Sequence, residues 1–284
     1  MKKFYAIVAA IIFGIFIFSA CEKVEPPYID NNNNPVPPDT GNQSVKTVLL
    51  EDYTGHKCPN CPDAAREAER LLETYGKSKV VVIAVHAGFF AVPHPGTIFD
   101  LDLNSDAGTE WDNYFGISNV GNPKGMIDRV EFADGRILDW GKWDAKVSEE
   151  LEKNPQIKLN INNSFNTGNK KLTTTVSGQF LENMEGDYFL QVCITEDSIT
   201  GAQLDGIDVI ENYVFMHVLR GDINSAWGEK INDNGTTEQN QEFEKTYSIT
   251  LNNDWVPEHC NVVAFVYLDS DKSVIQAAEQ AITE

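Results

Sequence analysis

The chain has 284 residues, with 43 acidic against 22 basic side chains; the formal net charge of −21 argues against a nucleic-acid partner. The acidic residues are spread through both halves rather than collected in a tail, which marks them as solvated surface rather than a docking face. After its first 44 residues the chain is long enough for two domains of ordinary size, each with its own core.

At the N-terminus Lys2 and Lys3 precede an apolar run from Phe4 to Phe18, which closes on Ser19-Ala20-Cys21. This is the pattern of a signal peptide over residues 1–20, and the run is short for a transmembrane helix. Small residues directly before a cysteine resemble a bacterial lipobox, in which Cys21 is lipidated and becomes the new N-terminus, although Phe18 stands where leucine is usual. A plain secretory peptide or an uncleaved anchor is the alternative. Residues 21–44, with Asn31 to Asn34 and Pro35-Val36-Pro37-Pro38, have almost nothing to bury and are expected to form a disordered tether. The body beyond it is therefore expected outside the cytoplasm, held to a membrane by lipid, where disulfides persist.

From Val45 the pattern predicts a strand (Val45 to Tyr53), a helix (Pro62 to Tyr75), a strand (Val80 to His86), a long irregular stretch and a short helix (Gly108 to Phe115). A strand (Lys124 to Val130), a second strand (Glu131 to Leu138) and a helix (Trp140 to Lys153) follow. Strand, helix and strand with near-continuous Val/Ile runs imply parallel pairing in a covered sheet.

Cys58-Pro59-Asn60-Cys61 lies where the first strand gives way to the first helix. Two cysteines at this spacing can close a small disulfide ring, and the free N–H groups and dipole of a helix start favour a thiolate on the first. Cys58 is the candidate nucleophile and Cys61 its resolving partner; neither a metal nor a cofactor is assigned. Two alternatives stay open: an inert disulfide, or a metal held by His56 and the cysteines with His86 or His94. Asp100 to Asp106 begins like a calcium loop, but Ser105 and Trp111 stand where glycine and the bidentate glutamate belong, so Ser105 or Asp106 is expected to cap the next helix.

The run Leu49-Leu-Glu-Asp-Tyr-Thr-Gly-His-Lys-Cys-Pro-Asn-Cys-Pro62, followed by Phe115-Gly-Ile-Ser-Asn-Val-Gly-Asn-Pro-Lys-Gly-Met-Ile-Asp-Arg129, resembles the thioredoxin-like superfamily. Tyr53-Thr-Gly-x-x-Cys-x-x-Cys-Pro, His86-Ala-Gly88 and Phe99-Asp-Leu-Asp-Leu103 look more narrowly like a Bacteroidetes outer-membrane lipoprotein family named after a twenty-eight-kilodalton member. The resemblance implies a lipid anchor, a thioredoxin-like domain (45–154), a C-terminal β domain (155–284) and a place at the outer membrane facing periplasm or cell surface. It implies a cis bond at Asn122-Pro123, whose backbone would face a bound substrate. It also implies a buried carboxylate six residues before the first cysteine to move the resolving thiol's proton. That count lands on Asp52, with Glu51 the competitor if the strand register slips by one, and surface acids the plain alternative. Lys57 replaces the usual tryptophan and brings a cation beside Cys58.

Past Pro155 the period changes to two, over Ile157 to Ile161, Leu172 to Val176, Tyr188 to Ile194, Tyr213 to Leu219, Tyr247 to Leu251, Val262 to Leu268 and Val274 to Ala278. About seven strands with Asn/Gly/Asp turns suggest an immunoglobulin-like sandwich. The expected fold class is thus an α/β thioredoxin-like domain followed by an all-β immunoglobulin-like sandwich. Cys193 and Cys260 are left either bridged or as two buried thiols. The sandwich carries no chemistry of its own and suggests binding; the Arg220-Gly221-Asp222 triplet is read as chance. The function expected is thiol–disulfide exchange with protein thiols or disulfides of the envelope, against a non-enzymatic binding or adhesion lipoprotein.

Overall fold

A computed structural model describes residues 45–283; the signal peptide, Cys21 and the tether lie outside the described residues. The first strand, β1 (Val48–Thr54), and the next, β2 (Val80–His86), are apolar throughout but for Glu51, Asp52, Thr54 and His86, are buried along their whole length, and pair in parallel. Between them runs α1 (Cys61–Tyr75), which turns Ala64, Ala68, Leu71 and Leu72 inward and ends at Gly76. Ser105 starts α2 (Asp106–Phe115) by accepting a bond from the Gly108 N–H at 3.1 Å, and β3 (Lys124–Ile127) lies antiparallel to β1. The predicted strand over 131–138 is a turn with an isolated bridge between Gly125 and Leu138, and α3 (Trp143–Leu151) starts after a short 3-10 turn.

Twelve strands follow among the described residues: β4 (Ile157–Asn166), β5 (Lys171–Phe180), β6 (Met184–Glu185), β7 (Tyr188–Glu196), β8 (Ile199–Asp205), β9 (Asp208–Phe215), β10 (Val218–Asp222), β11 (Glu229–Lys230), β12 (Thr236–Thr237), β13 (Glu242–Thr250), β14 (Cys260–Leu268) and β15 (Val274–Ala281). The predicted strand from Tyr213 to Leu219 is broken at Met216 and His217, where His217 has φ 56° and the chain changes from β9 to β10.

The expected fold class is corrected by the way these strands pair. One mixed sheet runs β15-β14-β7-β10-β2-β1-β3, because Val218 of β10 pairs in parallel with Ala84 of β2. That pairing leaves no separate α/β domain beside an immunoglobulin-like sandwich. Against fifteen strands there are three α-helices among the described residues, and these residues fall in one compact unit, Gln43–Glu284. The apolar runs in β2, β7 and β14 are alike, nearly continuous and buried, so nothing local in the sequence says that they share a sheet.

The sheet's two faces follow from strand alternation. One face, with Leu49, Tyr53, Ile83, Val263, Phe265 and Tyr267, packs under α2 through Trp111 and forms a single core across both halves. On the other face α1 and α3 cover Val48, Leu50, Val80 and Val82, while the three-stranded sheet β13-β5-β4 covers Val192, Ile194, Val262 and Ala264. A Cβ added at Gly125 would stand 2.5 Å from the Trp143 ring and 2.8 Å from the Glu51 carbonyl. Gly125→Ala is therefore expected to destabilise by about 1–3 kcal/mol, read as a lower urea midpoint with unchanged slope.

Candidate functional site

Cys58 and Cys61 are joined by a disulfide, with Cα atoms 5.4 Å apart. Cys61 is the first residue of α1 and Cys58 stands in the turn before it, where its N–H donates to the Gly55 carbonyl at 3.0 Å. Gly55 is required here by close approach, since a Cβ would lie 2.5 Å from the Phe90 backbone carbon. The Lys57 N–H donates to the Phe90 carbonyl at 3.1 Å, so the turn at Phe89 to Ala91 backs the cysteine loop. Lys57 itself turns to that segment: its Nζ is 3.0 Å from His94 Nε2 and lies over the Phe89 ring.

The two candidate carboxylates separate by alternation. Glu51 goes to the α2 face, fully buried, and takes both its oxygens to Arg129, at 2.8 Å from Nε and 2.7 Å from Nη2. Asp52 goes to the α1 face and lines a cavity of about 240 Å³ with Ala68 and Glu69 of α1, Tyr213 of β9 and Met216 just beyond it. Its Oδ1 has no partner, and burial raises its carboxyl to about 8. A group so placed is neutral at pH 7 and can give or take a proton near neutrality. Burial, then the Asp52 charge, raises the Tyr213 hydroxyl to about 12.

The Asn122–Pro123 bond is cis. Pro123 is buried at the start of β3, and the Asn122 Nδ2 donates to the carbonyls of Thr54 and Ala87 at 3.3 and 3.4 Å, at the ends of β1 and β2 from which the cysteine loop departs. The structure thus gathers Cys58, Cys61, Asn122 and Pro123 around one end of the parallel pair, places Asp52 beneath on the α1 side, and sends Glu51 away.

His56 is buried and stacks on Phe99, and burial, with Lys57 and His94, lowers it from its ordinary value. His86 is buried too, and burial lowers it to about 3. Among the described residues no group of three or more His, Cys, Asp or Glu side chains is placed to hold a metal ion. Cys193 and Cys260 are separate buried thiols facing different cores, Cys193 opposite Val263 and Cys260 opposite Glu196. Arg220 is engaged with Glu196 at 3.2 Å and stacks over Trp255, so the Arg-Gly-Asp triplet is part of strand β10.

The element that sequence reasoning missed is the β8–β9 hairpin. Its signal was present: Asp205-Gly206 flanked by apolar alternation, with Gly206 at φ 60° in a two-residue turn. This hairpin reaches the cysteine loop. Gln203 Nε2 donates to the Cys58 carbonyl at 3.0 Å, the Leu204 N–H to His56 at 2.9 Å and the Gly206 N–H to Pro59 at 2.8 Å.

The sequence model of the family described as outer membrane protein Omp28 matches residues 109–284. The chain belongs to that family. It is an outer membrane lipoprotein, and the family match begins after the cysteine pair. No curated protein matches the chain. Among solved structures, HBP35 of Porphyromonas gingivalis is similar in fold at TM-score 0.63 and 16% identity, covering 85% of this chain and 77% of that one. The protein AGR_C_4864 of Agrobacterium tumefaciens matches at TM-score 0.50 and 12% identity, over 86% of this chain and 97% of its own. A domain of the outer membrane lipoprotein Omp28 of Porphyromonas gingivalis is 24% identical over 45% of this chain and 88% of its own, at TM-score 0.33.

Proposed function

We propose that this Omp28-family lipoprotein carries out thiol–disulfide exchange through Cys58 and Cys61, anchored to the outer membrane by lipid on Cys21. The observation that supports it best is the pair itself: a disulfide between cysteines three positions apart at the start of α1, with the neutral carboxyl of Asp52, its Oδ1 without a partner, below the same end of the sheet. The helix start favours a thiolate at the cysteines. A thiolate of a partner dithiol attacks Cys58 Sγ, forming a mixed disulfide while the Cys58–Cys61 bond breaks and its electron pair leaves on Cys61. The Asp52 carboxyl supplies the proton that Cys61 takes up. The partner's second thiolate then attacks its own sulfur in the mixed disulfide and releases Cys58; the partner ends oxidised and the pair reduced. The reverse sequence reduces a partner's disulfide. Asn122 and Pro123 present backbone to the bound partner.

One observation favours a second reading. Cys58 is 1% exposed and Cys61 2%, as befits a static staple in a binding protein whose β half meets a partner of the envelope. Equilibration of the full chain with glutathione separates the readings, with Cys58→Ser as control. Exchange requires a potential within the oxidoreductase range, about −270 to −120 mV. A pair that stays closed at every glutathione ratio, below about −300 mV, establishes the staple.

A further inference from the structure

A cysteine that is 1% exposed cannot be attacked by the sulfur of a second protein, so the exchange reading requires something to move. The turn at Phe89 to Ala91 is held in place, since the Gly55 backbone is packed tightly against it and the Asn104 Nδ2 donates to the Ala91 carbonyl at 3.1 Å. The β8–β9 hairpin is held differently. It forms a two-stranded sheet of its own and has no ladder to the large sheet. Its inner end is anchored: Ile199 and Phe215 pack with Leu101, Leu103 and Val218, and Gly201 sits against Leu101. Its outer end, from Gln203 to Ile210, meets the cysteine loop by three hydrogen bonds and α1 by the exposed Arg66–Asp205 ion pair at 3.0 Å. Such bonds are individually weak in net terms and are replaced by water when broken. At the tip little apolar surface is lost on opening, because Ile207 is already 96% exposed and Val209 and Ile210 are 42% and 41% exposed, while Gln203 is the buried side chain of the outer end.

The roots of the hairpin are built as a pair of bends. Ser198 before β8 and His217 after β9 both take left-handed backbone, at φ 61° and 56°, and they are cross-tied by His217 N–H to Asp197 Oδ1 at 2.7 Å and Ser198 N–H to Met216 Sδ at 3.4 Å. Left-handed non-glycine residues at both ends of one hairpin are the kind of positions that absorb a change of direction, although His217 is also held by the Ala84 N–H at 2.8 Å and by Glu69 at 3.0 Å.

We infer that the β8–β9 hairpin is a strap over the Cys58–Cys61 loop, which must leave that loop before Cys58 exchanges with a protein dithiol. The inference rests on the exchange reading for its purpose, while the cover itself is measured separately. Gln203 is the positioning residue of the closed form, through its bond to the Cys58 carbonyl.

The test uses the full chain and two variants: Gln203→Ala with Asp205→Ala, and a shortened strap in which residues 204–209 are replaced by an Asn-Gly turn. The rate of reduction of the pair is followed with dithiothreitol and with a reduced, unfolded protein dithiol. Shielding of Cys193 and Cys260 from a thiol-reactive dye reports that each variant is folded, since both thiols are buried. The shortened strap is expected to speed reduction by the protein dithiol at least tenfold, and by dithiothreitol less; the double alanine variant is expected to give about a threefold gain. A folded shortened variant reduced at the unaltered rate by both probes overturns the strap. If that variant does not fold, an unaltered rate in the double alanine variant overturns it equally. A faster rate with a pair that no glutathione ratio opens at equilibrium keeps the strap and removes the exchange reading.

Discussion

Asp52→Asn is expected to stabilise the protein by about 2–5 kcal/mol at pH 8.5 and by less than about 1 kcal/mol at pH 4, measured by urea unfolding at both values. The carboxyl is buried without a partner for Oδ1, and burial lifts it from 3.8 to about 8. The folded state therefore keeps a proton that the unfolded chain releases above pH 3.8. Because the native state binds more protons through that window, stability falls as pH rises from 3.8 to about 8 and is level beyond. Four pH units at about 1.4 kcal/mol each set a ceiling, which relaxation beside the Asp52 cavity reduces. Asparagine keeps the shape and has no charge to desolvate, so it removes the penalty without leaving a hole. An equal gain at both pH values would show that packing, not ionisation, is responsible. On the exchange reading proposed above, the same variant is expected to slow exchange at the cysteine pair while the reduction potential moves little.

Which of Asp52 and Glu51 faces α1 could not be read without the register. Alternation along β1 sends neighbours to opposite faces, and both faces of this sheet are covered, so both acids are buried. The cysteine pair, the first parallel βαβ step and the Ser105 cap were legible because each is a local signal of spacing or turn chemistry, whereas the cis bond at Pro123 was expected only through the family resemblance of its segment. The fold class was not, because Val218 meeting Ala84 is a pairing between residues far apart in sequence, and buried strands of either kind read as the same apolar run. The strap was missed for a different reason. Its Asp205-Gly206 turn was a hairpin signal, but Ile207 to Tyr213 mixes apolar and acidic residues in a segment exposed to water, which weakens the alternation that sequence reading depends on.

The same register yields the second large effect. Arg129 is 1% exposed, bonded by two donors to Glu51, and its guanidinium lies 5.0 Å from the ring centres of Trp111 and Phe265. Trp111 belongs to α2 and Phe265 to β14, so the ion pair sits where the two halves of the chain share one core. Glu51→Gln removes the negative partner and leaves a desolvated guanidinium, which is expected to cost about 3–5 kcal/mol. Arg129→Met alone buries an unpaired carboxylate and is expected to cost a similar amount, whereas the two together restore most of the loss, since a methionine and a neutral amide need no counter-charge. A double-mutant cycle by urea unfolding measures the coupling; a value below about 1 kcal/mol contradicts a buried pair. The shape of the transition carries as much information as its midpoint. One sheet through both halves requires all four proteins to unfold in a single step by far- and near-ultraviolet signals, whereas two independent domains would separate into two transitions in the destabilised variants.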